Sequence, residues 1–75
     1  MNHFPAITAK DLIKAIQQAG FKEHHQKGSH KVFRRETDRK RVVVPVHPGK
    51  IIPRKTLKAI LMEADLTIEK LKELL

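Results

Sequence analysis

The middle of the chain is a succession of short strand-like segments joined by tight polar turns, and this pattern limits the possible folds. His30–Arg35, centred on Val32 and Phe33, and Arg41–Val46, with three consecutive valines, are predicted strands. Phe21–Gln26 is weaker in composition but lies between Gly20 and the next turn, so its position predicts a strand. Links this short allow no crossover, so an antiparallel meander is expected.

Helical patterns flank the strands on both sides. Thr8 to Ala19 is predicted as a helix, with Thr8 as its cap, Asp11 three residues on, and Gly20 at its end. A second helix is predicted from Arg54 to Glu63. Thr67 is a natural cap for a short third helix, whose apolar residues follow at helical spacing: Ile68, Leu71, Leu74 and Leu75. This α-β-β-β-α order predicts an α+β fold with both main helices on one face of a three-stranded sheet.

Length and charge limit the classes of function. The 75 residues contain no cysteine, so we expect a single domain, residues 1–75, without disulfides or Cys-ligated zinc. No apolar run is long enough for a membrane span and no signal-peptide pattern is present, so a cytoplasmic location is expected. The 16 Lys and Arg against 8 Asp and Glu give a net charge of +8, which favours nucleic acid or an acidic protein as partner.

A glycine, a serine and a histidine lie together at the turn between the first two predicted strands. Gly28 allows a positive φ and the close approach of a ligand, and Ser29 adds a hydroxyl. His30 follows, and histidine is the side chain that readily exchanges a proton near neutral pH. Lys27 and Lys31 flank it in sequence. The segment is therefore a candidate site for holding a phosphate and moving a proton.

Strand alternation predicts which side of the sheet this site occupies. If Phe33 points to the helices, then Val32 and Arg34 point to the opposite, open face. His30 shares their parity, so a substrate could reach it there. The side chains of this open face are expected to be polar or functional.

Four blocks of the chain resemble the HicA toxin family in order and spacing: Gly20-Phe21, Lys27-Gly28-Ser29-His30, Arg41 to His47, and Thr56-Leu57 with Ile60-Leu61. The resemblance implies a double-stranded-RNA-binding-domain-like fold and a type II toxin–antitoxin system. It also implies an endoribonuclease that cleaves messenger RNA and is neutralised by a HicB-type antitoxin. The family's catalytic histidine follows Gly-Ser, which is His30 here. Lys55 and Asp65 depart from the family pattern, which favours glycine at both positions.

RNA cleavage of this kind would need no metal or other cofactor, because the 2′-hydroxyl beside each phosphate is the nucleophile. His30 could act as the base or, when protonated, as the acid. Positive side chains could offset the charge of the transition state, the candidates being Lys27, Lys31, Arg34 and Lys55. A second proton carrier is not identified, and His47, a lysine and water all stay open. The five histidines show no metal-ligand spacing, so no metal site is predicted.

Simpler interpretations stay open beside the catalytic one. His24-His25 and Arg39-Lys40-Arg41 are most simply solvated, and Pro53 to Thr56 is either a phosphate-binding helix start or an ordinary basic one. The chain as a whole could instead be a non-catalytic double-stranded RNA-binding module, with the His30 loop in the minor groove. A third class is a domain that binds an acidic protein.

Overall fold

A computed structural model describes residues 4–75 as a three-stranded sheet with three helices. The helices are α1 (Ala9–Gln18), α2 (Arg54–Ala64) and α3 (Ile68–Leu74), and the strands are β1 (Lys22–Lys27), β2 (His30–Arg35) and β3 (Lys40–Pro45). The sheet is antiparallel in the order β1-β2-β3. This confirms the predicted α+β fold with an α-β-β-β-α order and a short C-terminal helix. None of the helices in this range is long and apolar enough to cross a membrane.

Side-chain caps begin α1 and α3, as the sequence predicted. The Thr8 hydroxyl accepts a hydrogen bond from the Asp11 amide at 3.4 Å. The Thr67 hydroxyl accepts one from the Lys70 amide at 3.0 Å. The helix α2 ends differently, because Asp65 follows it in the left-handed conformation with φ of 57°. Aspartate tolerates this conformation better than most residues, so the helix can stop here without the glycine that the family favours.

The core lies between the helices and one face of the sheet. Phe33, Val42 and Val44 supply the sheet's share of it and are fully buried. The helices and their flanks supply the rest, including Leu12, Ile16, Phe21, Leu57, Ile60, Leu61 and Leu71. Phe21 was predicted as the first residue of β1, but it packs in this core and the strand begins one residue later.

Arg35 ties the ends of both main helices to the sheet. Its Nη1 donates to the Ala19 carbonyl at 2.9 Å, and its Nη2 donates to the Ala64 carbonyl at 3.2 Å. The guanidinium also lies 4.5 Å from the centre of the Phe21 ring. Asp38 accepts from both Nε and Nη2, and this hydrogen bonding lowers the pKa of Asp38 and raises that of Arg35. The carbonyls at the two helix ends are thus satisfied by one side chain.

Candidate active site and nucleic-acid interface

Gly28 and Ser29 form a two-residue hairpin between β1 and β2. Lys27 pairs with His30 across it, and Gly28 has a φ of +60°. A positive φ at the first turn residue alone is the pattern of a type II′ turn, which suits glycine at that place. The Ser29 carbonyl accepts a hydrogen bond from the Val46 amide at 2.6 Å, so the turn is also fixed to the end of β3. The predicted positive φ of Gly28 is confirmed.

The sheet register shows which side chains share the face of His30. Residues directly opposite each other in neighbouring strands point to the same side. The face turned away from the core, here called the open face, therefore carries three rows of side chains. The turn row is Lys27, His30 and Pro45; the middle row is His25, Val32 and Val43; and the arginine row is Lys22, Arg34 and Arg41.

The charged residues at the paired positions of the open face are all positive. Four of its nine paired positions are Lys or Arg, two are His, and none is Asp or Glu. All four cations are solvent-exposed, and so is His30. A face with this charge attracts polyanions and concentrates them beside the histidine.

The middle row differs from the expectation that the open face would be polar. Val32 is only 4% exposed although it lies outside the main core cluster, and Val43 is half-buried. The reason is the position of Val32 in the central strand, where side chains of both neighbouring strands flank it. The open face thus has a small apolar centre between two charged ends.

Lys31 lies on the opposite face from His30. It shares the parity of the buried Phe33, and its Nζ is 3.4 Å from Glu23 Oε1. It also lines a groove beside α1 with Lys14 and His47. Of the two lysines that flank His30 in sequence, the structure therefore places only Lys27 beside it.

The other candidate residues divide between the two sides of the sheet. Arg34 lies on the open face four residues from His30 along β2, as its parity predicted. Lys55 is exposed in the first turn of α2, in the helix layer behind the sheet. His47 follows β3 and lines the groove with Lys31, so the structure gives it no place in the row of His30.

Arg34 has a neighbour that the sequence did not suggest. The register of β1 shifts between Glu23 and His25, which makes His24 an extra residue in the strand. Its Nε2 lies 3.4 Å from Arg34 Nη1, and its ring meets that of His25 edge-on at 5.3 Å between centroids. Arginine has only donors, so this contact uses His24 Nε2 as acceptor. The bulge therefore brings both histidines to the open face.

Sequence reasoning left Lys22, His24, His25 and Arg41 out of the candidate site. Arg41 was interpreted as part of a solvated turn, and His24 and His25 as a solvated pair. The alternation of β2 alone does not identify Lys22 and Arg41, because the residues opposite Arg34 depend on the register between the strands. The bulge at His24 depends on the register of the folded sheet and has no clear sequence pattern.

No group of three or more His, Asp or Glu side chains in residues 4–75 is arranged to hold a metal ion. His3, the remaining histidine, lies outside the described residues. The arrangement that is present consists of an exposed imidazole, a glycine turn and a row of cations. These groups can bind a phosphodiester and exchange a proton with a hydroxyl group beside it.

Comparison with known proteins identifies the family of the chain. The family described as the HicA toxin of bacterial toxin–antitoxin systems matches residues 9–66, which include the whole sheet and both main helices. No curated protein matches the chain. The family match covers most of the sequence, and the chain therefore belongs to the HicA family, the toxin component of bacterial toxin–antitoxin systems.

Proposed function

We propose that this toxin is a metal-independent endoribonuclease that cleaves messenger RNA in the cytoplasm, with His30 as its catalytic residue. The observation that carries the proposal is the position of His30: exposed, next to a type II′ glycine turn, on a sheet face whose paired positions hold four cations and no carboxylate. A carboxylate at one of these positions would repel the phosphate.

The proposed reaction uses the nucleophile that RNA itself carries. His30 in its neutral form takes the proton of a 2′-hydroxyl, and the 2′-oxygen attacks the adjacent phosphorus. The bond from phosphorus to the 5′-oxygen then breaks, and that oxygen takes a proton from water or from Lys27. The products are a 2′,3′-cyclic phosphate and a free 5′-hydroxyl.

Lys27 is proposed to stabilise the charge that develops on the phosphorane. It pairs with His30 across the turn, so its ammonium group can reach a phosphate that the imidazole touches. Gly28 and Ser29 would approach the phosphate through their backbone N–H groups, since no atom lies within 4 Å of where a Cβ on Gly28 would stand. Arg34 binds further along the same RNA strand.

The antitoxin partner that the family implies is proposed to be a HicB-type protein with an acidic surface. Charge complementarity favours the open face as its binding surface, because no acidic residue occupies the paired positions there. An antitoxin on this face would cover His30 and prevent access of RNA.

The test is incubation of the purified toxin with a long single-stranded RNA in EDTA, with a DNA of the same sequence as control. We expect cleavage of the RNA only, with a 2′,3′-cyclic phosphate or its opened form on the 5′ fragment. A 3′-hydroxyl product or a need for Mg²⁺ would contradict the proposed mechanism. Tight binding of duplex RNA without cleavage would support the non-catalytic module instead.

A further inference from the structure

We infer that the open face holds a single RNA strand along β2, with one phosphate at the turn row, a base over the middle row and another phosphate at the arginine row. This inference deepens the proposed function and rests on it for the position of the cleaved bond. It adds a second anchoring site, at Lys22, Arg34 and Arg41, and a base-binding surface at His25.

The arginine row is a set of like charges, none of which forms an ion pair within residues 4–75. Arg34 lies directly opposite Lys22 on one side and Arg41 on the other. Like charges in such positions repel each other and cost stability. Of the acidic side chains near this row, Glu23 is paired with Lys31 and Asp38 with Arg35. Glu36 lines the same pocket as Lys22 and Arg34 but forms no ion pair with them in residues 4–75. A bound phosphate would relieve the repulsion.

Arg34 is held in a defined place by a neighbour. The contact of its Nη1 with His24 Nε2 uses one side of the guanidinium. The remaining N–H groups of the fork are free to bind a phosphate oxygen, which is the geometry that makes arginine suited to this ligand. His24 is therefore a positioning residue for Arg34.

The middle row is suited to a base or a ribose rather than a phosphate. Val43 is half-buried and provides accessible apolar surface next to the buried Val32, and His25 adds an exposed imidazole ring. Unstacked RNA bases bind aromatic rings of this kind, histidine included. A base within a duplex is already stacked on its neighbours, so this surface favours a single strand.

The spacing of the rows fits such a strand. His30 and Arg34 are four residues apart in β2, which at about 3.3 Å per residue is roughly 13 Å. A strand stacked at about 3.4 Å per nucleotide covers this distance with roughly four nucleotides, and an extended strand needs fewer. The two charged rows would therefore bind different phosphates, with at least one nucleotide between them.

The test uses 2′-O-methyl RNA oligonucleotides of increasing length, whose blocked 2′-hydroxyl prevents cleavage. Affinity for the unmodified toxin should rise steeply up to the length that spans both rows and only slightly beyond it. Because nothing is cleaved, this measurement is independent of the proposed chemistry. Absence of cleavage in the RNA assay would count against the proposed function, whereas a smooth rise with no step would count against this inference.

Arg34→Ala, with Lys70→Ala as its matched control, tests the arginine row. Arg34→Ala should weaken binding of the longer oligonucleotides about tenfold and reduce the log–log salt slope by about 0.7, the value for one lost contact with a single strand. It should leave the shortest oligonucleotides unaffected. Lys70→Ala removes the same charge from an exposed site in α3 and should have no length-dependent effect. Equal losses in the two variants would overturn the assignment of the arginine row.

His25→Ala tests the middle row. It should weaken binding of a normal oligonucleotide but not of one with abasic sites, whereas Arg34→Ala should weaken both. Circular dichroism and melting curves would verify that each variant is folded, with Arg34→Gln as a second variant if Arg34→Ala is not. Two results would contradict the base-binding surface. One is that His25→Ala weakens binding of the abasic oligonucleotide as much as that of the normal one, and the other is that the toxin binds a duplex more tightly than the single strand.

Discussion

His30 and Lys31 are consecutive in the chain but lie on opposite faces of the sheet. Lys31 Nζ is 3.4 Å from Glu23 on the helix side, whereas His30 is paired with Lys27 on the open face. Adjacent residues of a strand point in opposite directions, so proximity in sequence is a poor guide to proximity in the site. The two lysines should therefore contribute differently to cleavage.

Lys27→Ala should reduce the single-turnover cleavage rate by roughly tenfold or more, because it removes the cation nearest the phosphate bound at His30. Lys31→Ala removes the same charge from the other face and should change the rate by no more than about twofold, through the weaker overall field. Both rates would be measured at saturating protein and fixed salt. Equal losses from the two variants would mean that net charge, rather than position, governs cleavage.

The pair of Arg35 and Asp38 predicts how stability depends on pH. The Arg35 hydrogen bond lowers the pKa of Asp38 below its usual value of about 3.9. A carboxylate with a lowered pKa in the folded state stabilises the protein above the unfolded pKa, and this contribution is lost as the pH falls through the folded pKa. Asp38→Asn should therefore lower the melting temperature at pH 7 and have progressively less effect below about pH 4.

A matched variant separates this pair from other acidic groups. Glu69→Gln removes an exposed carboxylate in the first turn of α3. Its effect on melting should be small and should not follow the Asp38→Asn profile. An Asp38→Asn protein whose destabilisation persists unchanged at pH 2 would show that the ion pair is not the cause.

Gly28→Ala should destabilise the hairpin without a steric clash. Its φ of +60° is strained for alanine, while no atom lies within 4 Å of the added Cβ. We expect a loss of about 1 kcal/mol in the free energy of unfolding, measured by urea denaturation. Gly49→Ala, at a φ of +77° in an equally open place, is the matched control. Gly49→Ala should lower the free energy of unfolding by a similar amount but leave cleavage nearly unchanged, because Gly49 lies outside the open face.

The proposed antitoxin should protect the open face from hydrogen exchange. In the toxin–antitoxin complex, amides from Lys27 to Phe33 should exchange more slowly than in the free toxin, with α3 nearly unchanged. Exchange detected by mass spectrometry at several times would show this. Protection confined to the helices would place the antitoxin elsewhere and contradict the proposal that it covers His30.

The order of the elements could be predicted from sequence because each depends on local chemistry. Thr8 and Thr67 cap their helices through their own side chains, and Gly20 and Gly28 adopt the positive φ that glycine allows. The predicted limits of β1 and β3 differ by one residue from those in the structure. Phe21 prefers the core to the strand, and this preference depends on packing that the local sequence does not contain.

The composition of the open face was less predictable. The alternation of side chains along β2 correctly placed His30 and Arg34 on the open face. It did not predict Lys22 and Arg41 opposite Arg34, because those positions depend on the register between strands. The bulge at His24 likewise follows from the pairing of β1 with β2. Arg35 was not singled out, although a long cation at the helix-facing end of a strand can reach the carbonyls at helix ends.

The central claim is that His30 transfers a proton during RNA cleavage, and the most direct test is single-turnover cleavage by His30→Ala. The side chain is exposed on the open face, so truncation should change the free energy of unfolding by no more than about 0.5 kcal/mol. RNA affinity should fall little, because the basic side chains remain. Cleavage should fall by roughly 10²–10⁴-fold, the usual contribution of general acid–base catalysis. A folded His30→Ala protein that binds and cleaves RNA at the unmodified rate would contradict the account.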